Sequence, residues 1–182
     1  MRIKTITHFA SYFILLFILS GISSSSFAQG PGGKDFGFGL ILGDPLGATI
    51  KYWTGPTNAL VADIGESYFG SPRIDVDYLW HFNAFNSRIV NLYAGIGGAI
   101  GFGNDYGYYG VFYRRDYEGK PPFFDRAYYN SDVGFGIRAI FGLNIVPKRT
   151  PLEFFVEAGP LIGISPAFGV GLDLALGVRF YP

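Results

Sequence analysis

The residues that could do chemistry are charged and regularly spaced. Lys51, Asp63, Arg73, Asp75, Asp77, Asp132, Arg138, Glu153, Glu157, Asp173 and Arg179 all fall on the less apolar side of an alternating pattern. Such a set can line an ion path or a switchable plug. It can also pair internally, fill a closed interior and fix strand register, because an unpaired charge in a closed space costs several kcal/mol. The second reading is favoured. Asp75 and Asp77 on one face, with Asp63, have the oxygen chemistry of a calcium site. Arginine partners are the expected outcome, and no metal is assigned.

Catalytic signals are thin. Beyond the first 28 residues there is one histidine, His81. A Ser–His pair would need a geometry that spacing does not supply. As the nucleophile's base in an outer-membrane lipid hydrolase it would lie at the wrong end of its strand. Its plain role is a hydrogen-bonded residue at a barrel mouth. Gly95-Ile-Gly-Gly98 and Gly101-Phe-Gly103 look like phosphate-binding loops, but no helical pattern follows to supply the amides. They read as small residues where a curved sheet bends. No catalytic residue and no cofactor is expected. The stretch 103–130 has the residues of an adaptable recognition surface: Tyr106, Tyr108, Tyr109, Tyr113, Arg114, Arg115 and Tyr117, with glycine between them. It reads equally as strand extension carrying an interfacial aromatic belt.

The elements that position these residues alternate with a period of two, the mark of strands with two unlike faces. Candidate strands cover 36–43, 46–54, 57–66, 72–82, 89–102, 131–145, 152–164 and 168–180. In 168–180, Val170, Leu172, Leu174, Leu176, Val178 and Phe180 oppose Gly171, Asp173, Ala175, Gly177 and Arg179. In 72–82, Ile74, Val76, Tyr78, Trp80 and Phe82 oppose Arg73, Asp75, Asp77, Leu79 and His81. Many strands approach the ~9–11 residues that cross a bilayer at a tilt. Turn chemistry separates them, as in Gly43-Asp44-Pro45 and Pro147-Lys-Arg-Thr-Pro151. Only 103–130 is a long connection; 65–72 is read as a shorter loop.

Alternation shows two faces without showing which is wet. The less apolar face is glycine, alanine and a few charges rather than the Lys, Glu, Ser and Thr of a solvated surface. An eight-stranded barrel has room inside only for packed side chains, which suits that face. With the amino terminus on the periplasmic side, Phe36, Tyr52, Trp80, Phe82, Phe154 and Phe180 gather at one interface as an aromatic belt. The same threading makes 55–58, 83–88 and 146–151 short periplasmic turns and puts 103–130 outside. The sequence therefore predicts an all-β, eight-stranded, antiparallel, up-and-down transmembrane β-barrel.

Composition and targeting agree. The chain of 182 residues is 49% apolar, 19% aromatic and 15% charged, against roughly 25% charged in soluble domains. Without cysteine it forms no disulfide or thiolate metal site. Residues 1–28 read as a cleaved signal peptide: Arg2 and Lys4, an apolar block over 13–19, and small residues at Ser26 and Ala28. The mature domain, 29–182, then carries 12 basic and 14 acidic groups, which argues against nucleic acid as a partner. Its expected surroundings are outer-membrane lipid, the insertion machinery during biogenesis and an unidentified extracellular ligand, with the barrel a monomer. The alternatives are a soluble periplasmic barrel holding an apolar ligand and a narrow pore.

Several segments also resemble a family. Gly39-Leu-Ile-Leu-Gly-Asp-Pro-Leu-Gly47 with Lys51-Tyr-Trp53, Asp77-Tyr-Leu-Trp-His81, Leu92-Tyr-Ala-Gly-Ile-Gly97 and Pro151-Leu-Glu-Phe-Phe-Val-Glu-Ala-Gly-Pro160 are similar to the small outer-membrane barrels first grouped from spirochaetes. Those are classed with a domain of unknown function and compared with the OmpA membrane domain. The resemblance covers most of 36–181 and implies an eight-stranded outer-membrane barrel without established chemistry. Two features depart from it: the tyrosine-rich long loop, and the ending Arg179-Phe-Tyr-Pro182 in place of a final aromatic residue.

Overall fold

The computed structural model describes residues 33–83, 85–87, 89–103, 108–111, 124–127, 133–165 and 168–182. Its strands are β1 (Phe36–Gly43), β2 (Leu46–Trp53), β3 (Asn58–Ser67), β4 (Gly70–Phe82), β5 (Val90–Phe102), β6 (Tyr108–Val111), β7 (Phe124–Ala127), β8 (Val133–Ile145), β9 (Leu152–Ser165) and β10 (Gly169–Phe180). Eight of them close into a barrel in the order β1-β2-β3-β4-β5-β8-β9-β10, each antiparallel to its neighbours, with β1 pairing β10 across the seam. The all-β, eight-stranded antiparallel fold read from the alternation is the fold observed. No helix among the described residues is long and apolar enough to cross a membrane, which has no bearing on strands.

Two connections differ from the expectation. The stretch 65–72 is no loop: β3 runs to Ser67 and β4 starts at Gly70, leaving only Tyr68 and Phe69 between them. Gly70, at φ 154°, admits a reversal this tight. Phe69 then folds fully inward against Ala99 and Leu161, which extends both strands toward the turn. Within the long connection, β6 and β7 form a separate two-stranded hairpin. Strand structure is one of the two readings of that stretch; a sheet of its own is not.

The side chains divide by parity. On β10, Leu174 is 62% exposed while its neighbours Asp173 and Ala175 are 3% and 4% exposed. The outward face carries Leu40, Ile50, Leu60, Val76, Ile96, Ile137 and Val156 among many exposed large apolar residues. Phe36, Tyr52, Trp80, Phe154 and Phe180 are also exposed and Phe82 is half-buried. All six sit toward the end that holds the termini, opposite the long β5–β8 connection: Phe36 pairs with Tyr52, Phe180 with Phe38 and Leu152, Trp80 with Asn58, and Phe82 with Leu92.

The lumen has little free width, and glycines create what there is. A methyl group added at Gly142 would meet the Tyr93 ring; at Gly177, the Phe155 ring; at Gly37, the Tyr181 ring; and at Gly171, the Tyr68 ring. Each of these four inward aromatics thus lies over a glycine, the large-against-small fit that fills a narrow barrel to native density. Gly142→Ala should therefore overpack the lumen by about 1–3 kcal/mol. The expected result is a lower urea midpoint for conversion of the folded gel band; an unchanged midpoint would mean that Tyr93 has free space around it.

Candidate functional site

Strand parity aims ten of the eleven charges singled out above into the lumen. Lys51 comes from β2, Asp63 from β3, Arg73, Asp75 and Asp77 from β4, Arg138 from β8, Glu153 and Glu157 from β9, and Asp173 and Arg179 from β10. All ten are buried. The eleventh, Asp132, lies outside the described residues. So do Tyr106, Tyr113, Arg114, Arg115 and Tyr117; Tyr108 and Tyr109 are described only as backbone positions of β6.

Toward the long-loop end, two guanidiniums bridge four strands. Arg73 donates from Nη2 to Asp173 Oδ2 at 2.6 Å and from Nε to Asp75 Oδ1 at 2.8 Å, and reaches Asp44 in the β1–β2 turn at 3.3 Å. Arg138 donates to Asp75 Oδ2 at 2.6 Å and to Glu157 Oε1 at 3.3 Å, with its Nε 3.6 Å from Asp77 Oδ1. Asp75 is thus shared by both arginines, the arginine partnership expected of it. Tyrosine hydroxyls complete the shell: Tyr68 donates to Asp173 Oδ1 at 2.6 Å and Tyr93 to Glu157 Oε2 at 2.7 Å. In the β3–β4 turn, burial pushes the Tyr68 hydroxyl above its ordinary range, with the adjacent Asp173 carboxylate adding to the effect. It therefore stays a donor. Among the described residues, no group of three or more His, Cys, Asp or Glu is arranged to hold a metal ion.

Toward the end that holds the termini the hub is a carboxylate. Glu153 Oε1 accepts from Lys51 Nζ at 2.7 Å and from Asn144 Nδ2 at 2.8 Å, while Oε2 accepts from the Tyr181 hydroxyl. Lys51 also donates to His81 Nε2 at 2.9 Å and lies 4.2 Å from the centre of the Trp53 ring, a cation–π contact. An ammonium has only donors, so Nε2 accepts and the ring proton belongs on Nδ1, 3.2 Å from the Thr57 carbonyl oxygen. His81 lies between Trp53 and Tyr93, its ring tilted by 40° and 36° to theirs, with centroids at 4.3 and 5.3 Å. The ring lies near that end of β4, bonded to the β2–β3 turn, and is buried. Both nitrogens are engaged, neither of them by a serine among the described residues. Arg179 stacks 3.8 Å from the Phe155 ring centre and donates from Nε to Thr49 at 3.0 Å.

Sequence reasoning missed the neutral partners Thr49, Trp53, Tyr68, Tyr93, Asn144 and Tyr181. Parity was the available signal. The alternation that aims Lys51 inward does the same for Trp53, and Tyr93 is the register partner of inward His81. The departure at the chain's end also finds its place. Phe180 faces out, while Tyr181 turns in to Glu153 and accepts from Trp53 Nε1 at 3.2 Å.

No protein-family model and no curated protein matches the chain. Among solved structures it is similar to the N-terminal β-barrel domain of Pseudomonas aeruginosa OprF, at 14% sequence identity and a TM-score of 0.55, over 84% of this chain and 98% of that one. The likeness establishes a shared eight-stranded barrel fold.

The pairing geometry makes Arg138 the costliest single loss. Arg138→Met leaves Asp77 without its ion-pair partner and removes one donor each from Asp75 and Glu157. Removing one partner of a buried pair costs on the order of 3–5 kcal/mol. The folded form should be strongly depleted at urea concentrations where the parent persists; a variant as stable as the parent would show that the lumen charges are solvated.

Proposed function

We propose that this chain is a non-enzymatic outer-membrane β-barrel protein, a monomer with a closed lumen, that supports the envelope or presents its long loop for adhesion. The observation that carries the reading is the inversion of the faces. Large apolar side chains ring the outside of the barrel and salt bridges occupy its middle. Each Leu, Ile, Val or Phe held in water forgoes roughly 1.5–3 kcal/mol relative to burial. A barrel with this exterior needs hydrocarbon around it, and strands satisfy their own backbone groups there only when closed. The aromatic belt at the end that holds the termini, and the one long connection at the opposite end, support an orientation with the termini in the periplasm. Residues 1–28 support export by a cleaved signal peptide. The narrower kinship with the spirochaetal barrels, and the recognition role of Tyr106, Tyr108, Tyr109, Tyr113, Arg114, Arg115 and Tyr117, belong to the same proposal.

The alternatives meet specific obstacles. A soluble carrier of an apolar ligand needs an apolar cavity, and this lumen is crossed by Arg73, Arg138 and Arg179. A conducting pore needs a continuous water column, and eight strands leave none. A lipid hydrolase needs a free imidazole nitrogen, and those of His81 are taken by Lys51 and Thr57.

Fractionation tests the reading directly. The protein should remain with the outer membrane after osmotic shock, require detergent for extraction, and migrate more compactly unboiled than boiled in denaturing gels. Leu174→Lys, near mid-strand on the outer face, should cost about 2–4 kcal/mol in a bilayer. Release into the periplasmic fraction, or indifference to Leu174→Lys, would contradict the proposal.

A further inference from the structure

The lumen does not balance its charge. Among the described residues it buries six carboxylates (Asp63, Asp75, Asp77, Glu153, Glu157 and Asp173) and four cations (Lys51, Arg73, Arg138 and Arg179). The shortfall is localised. Asp75, Asp173, Glu153 and Glu157 each accept hydrogen bonds from side chains. Asp63 and Asp77 are the exceptions: none of their four oxygens makes a well-formed hydrogen bond, although the residues are only 2% and 1% exposed and the Thr49 hydroxyl lies near Asp63. The two sit on adjacent strands, since Asp63 pairs with Asp75 and Val61 with Asp77, and their charges act on one another.

Unpartnered donors border the same space. Arg138 Nε lacks a hydrogen bond and lies 3.6 Å from Asp77 Oδ1. Nη1 and Nη2 of Arg179 lack hydrogen bonds too, Nη1 lying 3.6 Å from Glu153 Oε1, and Arg179 acts electrostatically on Asp63. Buried polar atoms of both kinds left open near one another imply something small among them. Water alone would satisfy the hydrogen bonds and leave the surplus negative charge to a bound proton or a bound cation. A divalent ion asks for a larger set of oxygens, typically six or more, than two carboxylates flanked by guanidiniums supply.

We propose that Asp63 and Asp77 hold a monovalent cation of the sodium class, with part of its water bridging to Arg138 and Arg179. The ion enters as the barrel closes and offsets the charge that the arginines leave uncompensated. The site requires only the closed barrel, so it stands apart from any role in adhesion or support.

The test compares purified protein refolded into detergent micelles in sodium chloride, potassium chloride or choline chloride at equal ionic strength. Choline is too large for the site, so it reports general salt effects. The midpoint for thermal loss of the compact unboiled band should be at least ~2 °C higher in sodium than in choline. Asp63→Asn should shrink that difference, and Asp63→Asn with Asp77→Asn should abolish it while folding equally well in choline. Identical parent midpoints in sodium and choline would overturn the proposal, as would a sodium effect that survives the double substitution. The parent comparison stands if the double variant fails to fold, with Asp63→Asn as its control. Absence of a compact band in every salt would instead mean that the closed barrel itself is wrong.

Discussion

Eight strands joined edge to edge enclose a space only as wide as the side chains that fill it. That narrowness governs the rest of the molecule. An inward position must be glycine or alanine, or lie opposite one, or find a partner for its polar atoms before the lumen closes. Tyr93 over Gly142 and Phe155 over Gly177 show the first solution. Arg138 between Asp75 and Glu157 shows the second.

The pairing also locks register. A slip of one residue on any strand would exchange its two faces. On β4 it would carry Arg73, Asp75 and Asp77 to the apolar outside and Ile74, Val76 and Trp80 into the lumen. On β10 it would leave Arg73 without Asp173, since those side chains meet across the lumen from strands that are not neighbours. Side chains from β2, β4, β8, β9 and β10 converge on two hubs, Asp75 and Glu153 with their partners, so the cross-section is braced at two levels. The ring cluster of Trp53, His81 and Tyr93 adds a layer toward the end that holds the termini, and Phe69 with Leu161 adds one toward the long-loop end.

Much of this was legible in the chain because a strand's faces alternate strictly. Parity alone aims Asp173 and Arg179 one way and Leu174 and Phe180 the other, and it places every barrel strand to within a few residues. The identity of partners was not legible, because it depends on contacts across the lumen between strands far apart in sequence. Nothing in the spacing of Lys51, His81 and Glu153 joins them; only closure of the ring does. The inward aromatics were obscured for a related reason. Tyrosine and tryptophan suit an interfacial belt as well as a plug, so Tyr52 and Trp53, adjacent in sequence and opposite in fate, separate only by parity. The β6–β7 hairpin lacks alternation, so its pairing had no local signature.

The central claim is that the apolar face meets hydrocarbon and the charged face is enclosed. The chain has no cysteine, so single nitroxide labels introduced through Val76→Cys, Ile137→Cys and Leu174→Cys report their surroundings without interference. In liposomes, collisions with dissolved oxygen should dominate over collisions with a water-soluble nickel chelate at all three positions. Labels reached preferentially by the chelate, or shielded from both reagents by tight packing, would contradict the account.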